Sequence, residues 1–119
     1  MVPDKYAYSA KIIDVYDGDT LTAEIDLGFN VKFITKLRLL NIDAPEVRGF
    51  ESLLGLRSRD YVRHRVLNKI VTIKTVKDSK DKYGRYLADI WYNEGADPYI
   101  YINLNDELVD RGLAELKIY

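Results

Sequence analysis

The 119-residue chain contains no cysteine, which excludes disulfides, zinc–thiolate sites and thiol nucleophiles and leaves the compartment undetermined. Nor does any stretch approach the ~18 consecutive apolar residues of a membrane-spanning helix. Met1 to Lys11 carries Asp4, Lys5 and Lys11 and has no apolar run long enough for the core of a signal peptide. Read as it stands, the chain is expected to be soluble and without a membrane partner. It would be cytoplasmic as written and secreted if a leader had been removed, so localisation stays unknown. Histidine is nearly absent: His64 stands alone at a helical surface position and reads as incidental. Repeats, linkers and low-complexity segments are missing too. The formal net charge of -1 gives the whole molecule no pull toward nucleic acid or an anionic membrane.

What is present is the composition of one packed domain, expected to span residues 1–119. Apolar residues make up 47% and charged residues 31%, as in soluble globular proteins, and the length leaves no room for a second core. The charge is segregated, however. Between Arg57 and Arg85 there are ten Lys and Arg against three Asp and Glu, leaving eight against sixteen elsewhere. Such a basic stretch is either a solvated helix face followed by an exposed strand, or part of an anion-binding footprint.

Periodicity supplies the elements. Tyr8 to Tyr16 reads as a strand, Asp17-Gly18-Asp19 as a tight turn, and Leu21 to Leu27 as a second strand with alternating apolar residues. Gly28-Phe29-Asn30 reverses the chain into a third strand over Val31 to Ile42. Glu46 to Glu51 follows Pro45 and should be loop. The following helix is expected to place Leu54, Tyr61, Val62 and Arg65 on one face, with Arg57, Arg59, Asp60, Arg63 and His64 on polar ones. Ile70 to Val76 and Arg85 to Tyr92 read as a fourth and fifth strand, joined by the polar Lys77 to Gly84. Asn93 to Pro98 is a turn-rich insertion, and Tyr99 to Ile102 a short extra strand. Asn103 can cap a last helix with Leu104 and Leu108 on one face and Gly112 at its end. Five strands with a helix between the third and fourth predict an OB-fold, a five-stranded Greek-key barrel, mainly β with helices (α+β by some schemes). The barrel hosts many unrelated functions, so chemistry must be argued from residues.

Three segments stand out together: Asp17-Gly18-Asp19-Thr20, then Arg38-Leu39-Leu40-Asn41-Ile42-Asp43-Ala44-Pro45-Glu46, then Asp81-Lys82-Tyr83-Gly84-Arg85. Each alone is an ordinary turn or strand exit. In this order they resemble the staphylococcal nuclease (thermonuclease) family, and Asn105 to Ala114 resembles that family's helix and its exit. The resemblance covers nearly the whole chain.

It implies an endonuclease that hydrolyses DNA and RNA with calcium, prefers single-stranded or unpaired substrate, and leaves 3′-phosphate ends. The residue types suit that chemistry. Attack on a phosphodiester builds charge on the phosphoryl oxygens, and Arg38 and Arg85 offer planar paired donors that stay charged. A hard cation wants oxygen ligands, which Asp19 and Asp43 carry. The resemblance adds the backbone carbonyl of Ala44 and implies a modest, substrate-assisted calcium affinity. It also assigns Glu46 to the attacking water, as general base or as orienting group, and Lys82 and Tyr83 to nucleotide binding. Tyrosines make sequence-tolerant stacking platforms. Tyr99 and Tyr101 are weaker candidates, since alternate tyrosines on a strand are often half-buried.

The chain departs from the best-known secreted members in three ways. Its loop after Glu46 is short, no further helix follows the exit of the last one, and its overall charge is slightly acidic. These differences predict reduced substrate reach, and weaker, more salt-sensitive binding to long nucleic acid. The alternative reading is a noncatalytic module that binds nucleic acid or protein, although such modules usually lose the acidic ligands or the arginines. An active domain within a larger assembly is a third. Oligomeric state is not legible.

Overall fold

The structure is a computed structural model that describes residues 5–95, 97 and 99–118. Its elements run β1 Ala7–Asp17, β2 Thr20–Asp26, β3 Lys32–Leu39, β4 Ile42–Asp43, α1 Ser52–Val66, β5 Ile70–Lys80, β6 Tyr86–Asn93, β7 Tyr101–Asn103, α2 Leu104–Asp110 and β8 Glu115–Leu116. The main sheet has the order β3-β2-β1-β5-β6-β7. A parallel pairing of Leu37 to Leu39 with Tyr86 to Ala88 closes β3 onto β6. The result is the expected five-stranded barrel, with α1 between its third and fourth long strands. Closure pairs the barrel strands on both sides over much of their length, with β3 running past β6 and the end of β1 running past β5.

Alternation along the strands fills the interior. Leu21, Ala23 and Ile25 of β2, Leu37 and Leu39 of β3, Val71 and Ile73 of β5, and Ala88 and Ile90 of β6 are all buried. The same period turns Thr20, Thr22, Lys36 and Arg38 to the outer face, and Thr22 pairs with Lys36 and Thr20 with Arg38. β1 departs from strict alternation. Its ladder with β2 slips between Ile12 and Asp14 and again between Val15 and Asp17, leaving Ile13 and Tyr16 as extra residues. Such bulges re-aim side chains at barrel rims. Here Val15 and Asp17 end up buried while Asp14 and Tyr16 face outward.

Several boundaries differ from the sequence expectation. The third strand does not continue from Val31 to Ile42: it ends at Leu39, and Asn41 has φ +61°. Asparagine tolerates that left-handed conformation, and the turn sends Ile42–Asp43 into a separate two-stranded ladder with Glu115–Leu116. Gly49–Glu51 forms a 3-10 turn rather than open loop. The fourth strand extends to Lys80, with an irregularity between Thr75 and Lys80 where Lys77 and Asp78 take positive φ. The fifth begins at Tyr86 and the extra strand at Tyr101. Within the predicted Asn93 to Pro98 insertion, residues 96 and 98 lie outside those described.

The buried face of α1 also differs. It consists of Gly55, Ser58, Val62 and Val66, whereas Leu54 is exposed. Small residues win at two of these positions because α1 lies close against the polypeptide backbone, where a leucine would not fit. α2 forms as expected: the Asn103 side chain accepts from the Asp106 N–H at 2.9 Å, Leu104 and Leu108 are buried, and Gly112 ends the helix at φ +70°. Buried Asn105 ties α2 to the barrel. Its amide donates to the carbonyls of Leu40 and Ala88, and its oxygen accepts from Ile90 N–H.

Candidate active site

The Asp17-Gly18-Asp19 turn between β1 and β2 is held against the end of β3, where Leu39 N–H donates to the Asp19 carbonyl at 2.9 Å. That clamp places the Asp19 side chain beside the β3 exit. Its Oδ2 accepts from Ala44 N–H at 2.8 Å, and its Oδ1 accepts from the Thr20 hydroxyl at 3.2 Å. Asp17 lies next to it, also buried, and accepts from Asp19 N–H at 3.1 Å. Burial, then hydrogen bonding and repulsion from Asp17, push the Asp19 carboxyl up to about 7, against the opposing pull of Ala44 N–H and Arg38.

Arg38 stands between the two carboxylates that the sequence singles out. One terminal nitrogen lies 3.3 Å from Asp19 and the other 3.4 Å from Asp43. The guanidinium also donates to Leu39 O at 3.0 Å. Asp43 reaches this position because the Asn41 turn and the short β4–β8 ladder carry it there, and Lys117 of the β8 segment approaches its other oxygen at 3.2 Å.

Arg85 enters from the opposite side. Asp81 holds it through a contact of 2.7 Å and hydrogen bonds to its side chain and backbone N–H. Burial works against ionisation of Asp81, yet the hydrogen bonds from Arg85 and from Tyr83 N–H hold its carboxyl below the ordinary value. The remaining Arg85 nitrogen donates to the Thr20 hydroxyl at 3.0 Å. Thr20 therefore links the second arginine to Asp19, since the same hydroxyl donates to that carboxylate.

These groups share one cleft of about 620 Å³ on the outer face of the barrel. Asp19, Arg38, Asp43, Ala44, Glu46, Tyr83 and Arg85 all line it. Glu46 is exposed there, and among the described residues its carboxylate has no hydrogen-bond partner. Lys82 does not line the cleft. Its ammonium sits 5.2 Å from the centre of the Tyr83 ring, with the Arg85 guanidinium also at 5.2 Å, so Tyr83 is braced by two cations. Tyr99 and Tyr101 lie elsewhere and are exposed, not half-buried core.

Three of the helix arginines are engaged within the fold. Arg63 donates to the Val15 carbonyl, Arg65 pairs with Glu94, and Arg59 pairs with its neighbour Asp60. A second cleft of about 430 Å³, between α1 and the exit of α2, is lined by Leu54, Arg57, Tyr61 and Arg111 among others and holds no carboxylate.

Two positioning elements escape a reading by residue chemistry. A Cβ on Gly18 would meet the Cβ atoms of Ala44 at 2.8 Å and Ser58 at 2.9 Å. One on Gly55 would stand 2.0 Å from the Glu46 carbonyl oxygen. α1 is thus seated on the backbone of the loop that carries Glu46. The only sign in the sequence is a glycine inside a helical pattern, which costs about 1 kcal/mol relative to alanine and so suggests a packing reason.

The model of the family described as staphylococcal nuclease homologue matches residues 36–119. The chain belongs to that family. This staphylococcal nuclease homologue is 30% identical over 112 residues to the thermonuclease of Staphylococcus hyicus, covering 92% of this chain and 59% of the relative. It is 31% identical over 132 residues to an uncharacterized protein of Methanocaldococcus jannaschii, covering 93% of this chain and 60% of that protein. A third relative, an endonuclease of Bacillus subtilis, is 34% identical over 117 residues, which is 90% of this chain but 9% of that protein. The homologue therefore spans about three-fifths of its first two relatives.

The donor set fits a hard cation. Among the described residues no three His, Cys, Asp or Glu side chains gather at ligating distance, so any metal would rest on the two carboxylates of Asp19 and Asp43 with backbone oxygen and water. Asp19 is a buried carboxyl beside Asp17, and burial and that neighbour raise its pKa further than Arg38 lowers it, so the site can take more positive charge. A cation there would supply that charge.

Proposed function

We propose that this chain is a calcium-dependent nuclease that hydrolyses phosphodiester bonds of DNA and RNA, acts best on unpaired strands and leaves 3′-phosphate ends. The observation that carries the reading is the cleft in which Arg38 stands between Asp19 and Asp43 while Glu46 and Arg85 line the same walls. The thermonuclease and endonuclease names of its relatives support it.

Calcium held by Asp19, Asp43 and the Ala44 carbonyl would supply Lewis-acid stabilisation of a phosphoryl oxygen. The protein's own residues account for the rest. Arg38 and Arg85 offer fixed donors to the nonbridging oxygens, where charge grows as water adds to phosphorus. Their carboxylate partners hold the guanidinium planes in place, so little reorganisation accompanies the reaction. Glu46, whose carboxylate has no hydrogen-bond partner among the described residues, orients the attacking water and accepts its proton. The bond from phosphorus to the 5′-oxygen breaks, that oxygen takes up a proton from solvent to leave as a hydroxyl, and the phosphate stays on the 3′-oxygen. Tyr83, exposed beside Arg85, offers a ring face to a base.

The test is release of acid-soluble nucleotides from heat-denatured DNA and from RNA in calcium, beside a chelator control and parallel reactions in magnesium and manganese. Calcium-dependent release is the expected result. No release in calcium at high protein concentration would reject the proposal, and equal rates in all three metals would reject its calcium component.

A further inference from the structure

The cleft is longer than the catalytic constellation needs. Beyond Arg38 its floor continues over the outer face of β1, β2 and β3, where Asp14, Tyr16, Thr22 and Lys36 line it. Asp14 pairs with Thr22 and Thr22 with Lys36, so these three form one row across the strands. Lys36 and Arg38 sit two residues apart on β3 and face the same way, which separates them by ~6.6 Å along the strand. That distance is comparable to the step between successive phosphates of a nucleic-acid strand. Lys36 is exposed, and among the described residues it has no ion-pair partner.

Tyr16 is the second extra residue of the bulged β1. Tyr16 is 51% exposed and its hydroxyl makes no hydrogen bond among the described residues, and it lines the same cleft as Asp19 and Arg38. The bulges turn it outward next to the site, as bulges at barrel rims commonly do.

We propose that Tyr16 and Lys36 form a second nucleotide subsite, in which the Tyr16 ring stacks on a base and Lys36 contacts the phosphate neighbouring the one held by Arg38. Thr22 of β2 lies between the strands that carry them, and Asp14 stands beside Tyr16's end of that row on β1. The subsite rests on the reading of this cleft as a nucleic-acid site and extends it from a single phosphate to a run of strand. Stacking on an aromatic face is tolerant of base identity, so the subsite adds affinity for unpaired strands without adding sequence preference.

The experiment measures binding apart from cleavage. Fluorescence anisotropy of a fluorescein-labelled single-stranded decathymidylate is followed in chelator for the parent protein, Tyr16→Ala, Tyr16→Phe and Lys36→Ala, with thermal melting as a check on folding. KM and kcat on the same strand are then measured in calcium. Tyr16→Ala should weaken binding about tenfold or more and raise KM with little change in kcat, while Tyr16→Phe keeps the parent affinity. Lys36→Ala should lower the slope of log affinity against log salt by about 0.7, and it carries the test alone if Tyr16→Ala fails to fold. Parent-like affinity in folded Tyr16→Ala, or an unchanged salt slope in Lys36→Ala, overturns the subsite even where calcium-dependent cleavage is intact. Tyr16-dependent strand binding without cleavage in any metal would uphold the subsite and reject the nuclease reading. No strand binding by the parent protein rejects both.

Discussion

Gly55 of α1 lies directly against the backbone of Glu46, so close that a Cβ on the glycine would stand 2.0 Å from the Glu46 carbonyl oxygen and 2.3 Å from its carbon. The helix thereby sets the position of the loop from which Glu46 enters the cleft. Backbone cannot yield like the end of a flexible side chain. Gly55→Ala is therefore expected to destabilise the fold by about 1–3 kcal/mol through overpacking, despite the ~1 kcal/mol gain in helix propensity. It should also cost up to ~100-fold in kcat, since a displacement of about 1 Å suffices for that. Thermal melting and steady-state kinetics check both; a more stable, fully active variant would show that the loop is not held by this contact.

Arg38 occupies the space between Asp19 and Asp43 at 3.3 and 3.4 Å, so a cation arriving at those carboxylates meets an existing positive charge. Arg38→Met should then bind calcium more tightly while losing at least ~100-fold in cleavage rate, because a donor to the developing phosphoryl charge is gone. Isothermal titration with calcium and nucleotide release separate the two effects. Weaker calcium binding in the variant would mean that Arg38 organises the carboxylates more than it opposes the cation.

Asp19 gives the metal-free protein an unusual pH dependence. Its carboxyl is raised from 3.8 to about 7 in the fold, so the native state holds this proton more tightly than the unfolded chain. Its contribution to stability is complete below pH ~3.8 and is lost as pH rises through about 7. In chelator, the difference in melting temperature between the parent and Asp19→Asn should therefore shift in favour of the variant from pH 5 to pH 8. Parallel melting curves across that range would contradict the assignment.

Asn105 is buried and makes three hydrogen bonds, to Ile90 N–H and to the carbonyls of Leu40 and Ala88. Asn105→Ala takes this partner from the Ile90 N–H and the Leu40 carbonyl, while the Ala88 carbonyl keeps the Leu40 N–H, and should cost about 2–3 kcal/mol, or roughly 10 °C in melting temperature for a domain of this size. Asn105→Asp should be nearly as damaging, because it returns an acceptor but no donor for the two carbonyls. A loss below ~0.5 kcal/mol would indicate that water takes over the bonds.

Much of this molecule was legible without coordinates. Alternation of apolar residues in β2, the Gly28-Phe29-Asn30 reversal and the Asn103 cap are local signals, each imposed by backbone sterics or by the nearest few neighbours. The carboxylates and arginines are legible through the resemblance of three segments to the staphylococcal nuclease family, with which their chemistry is consistent. Tertiary structure decided the rest. The break at Asn41, which delivers Asp43 to Arg38, depends on a ladder with Glu115–Leu116 more than 70 residues away. The buried face of α1 runs through Gly55 and Ser58 rather than Leu54 because the helix packs on loop backbone, and a hydrophobic pattern records the burial of side chains, not the closeness of main chains. The pairing of Arg38 with Asp19, and the placing of Tyr16 on the same face as Lys36, arise only when β1, β2 and β3 lie in register, so no local pattern could announce them.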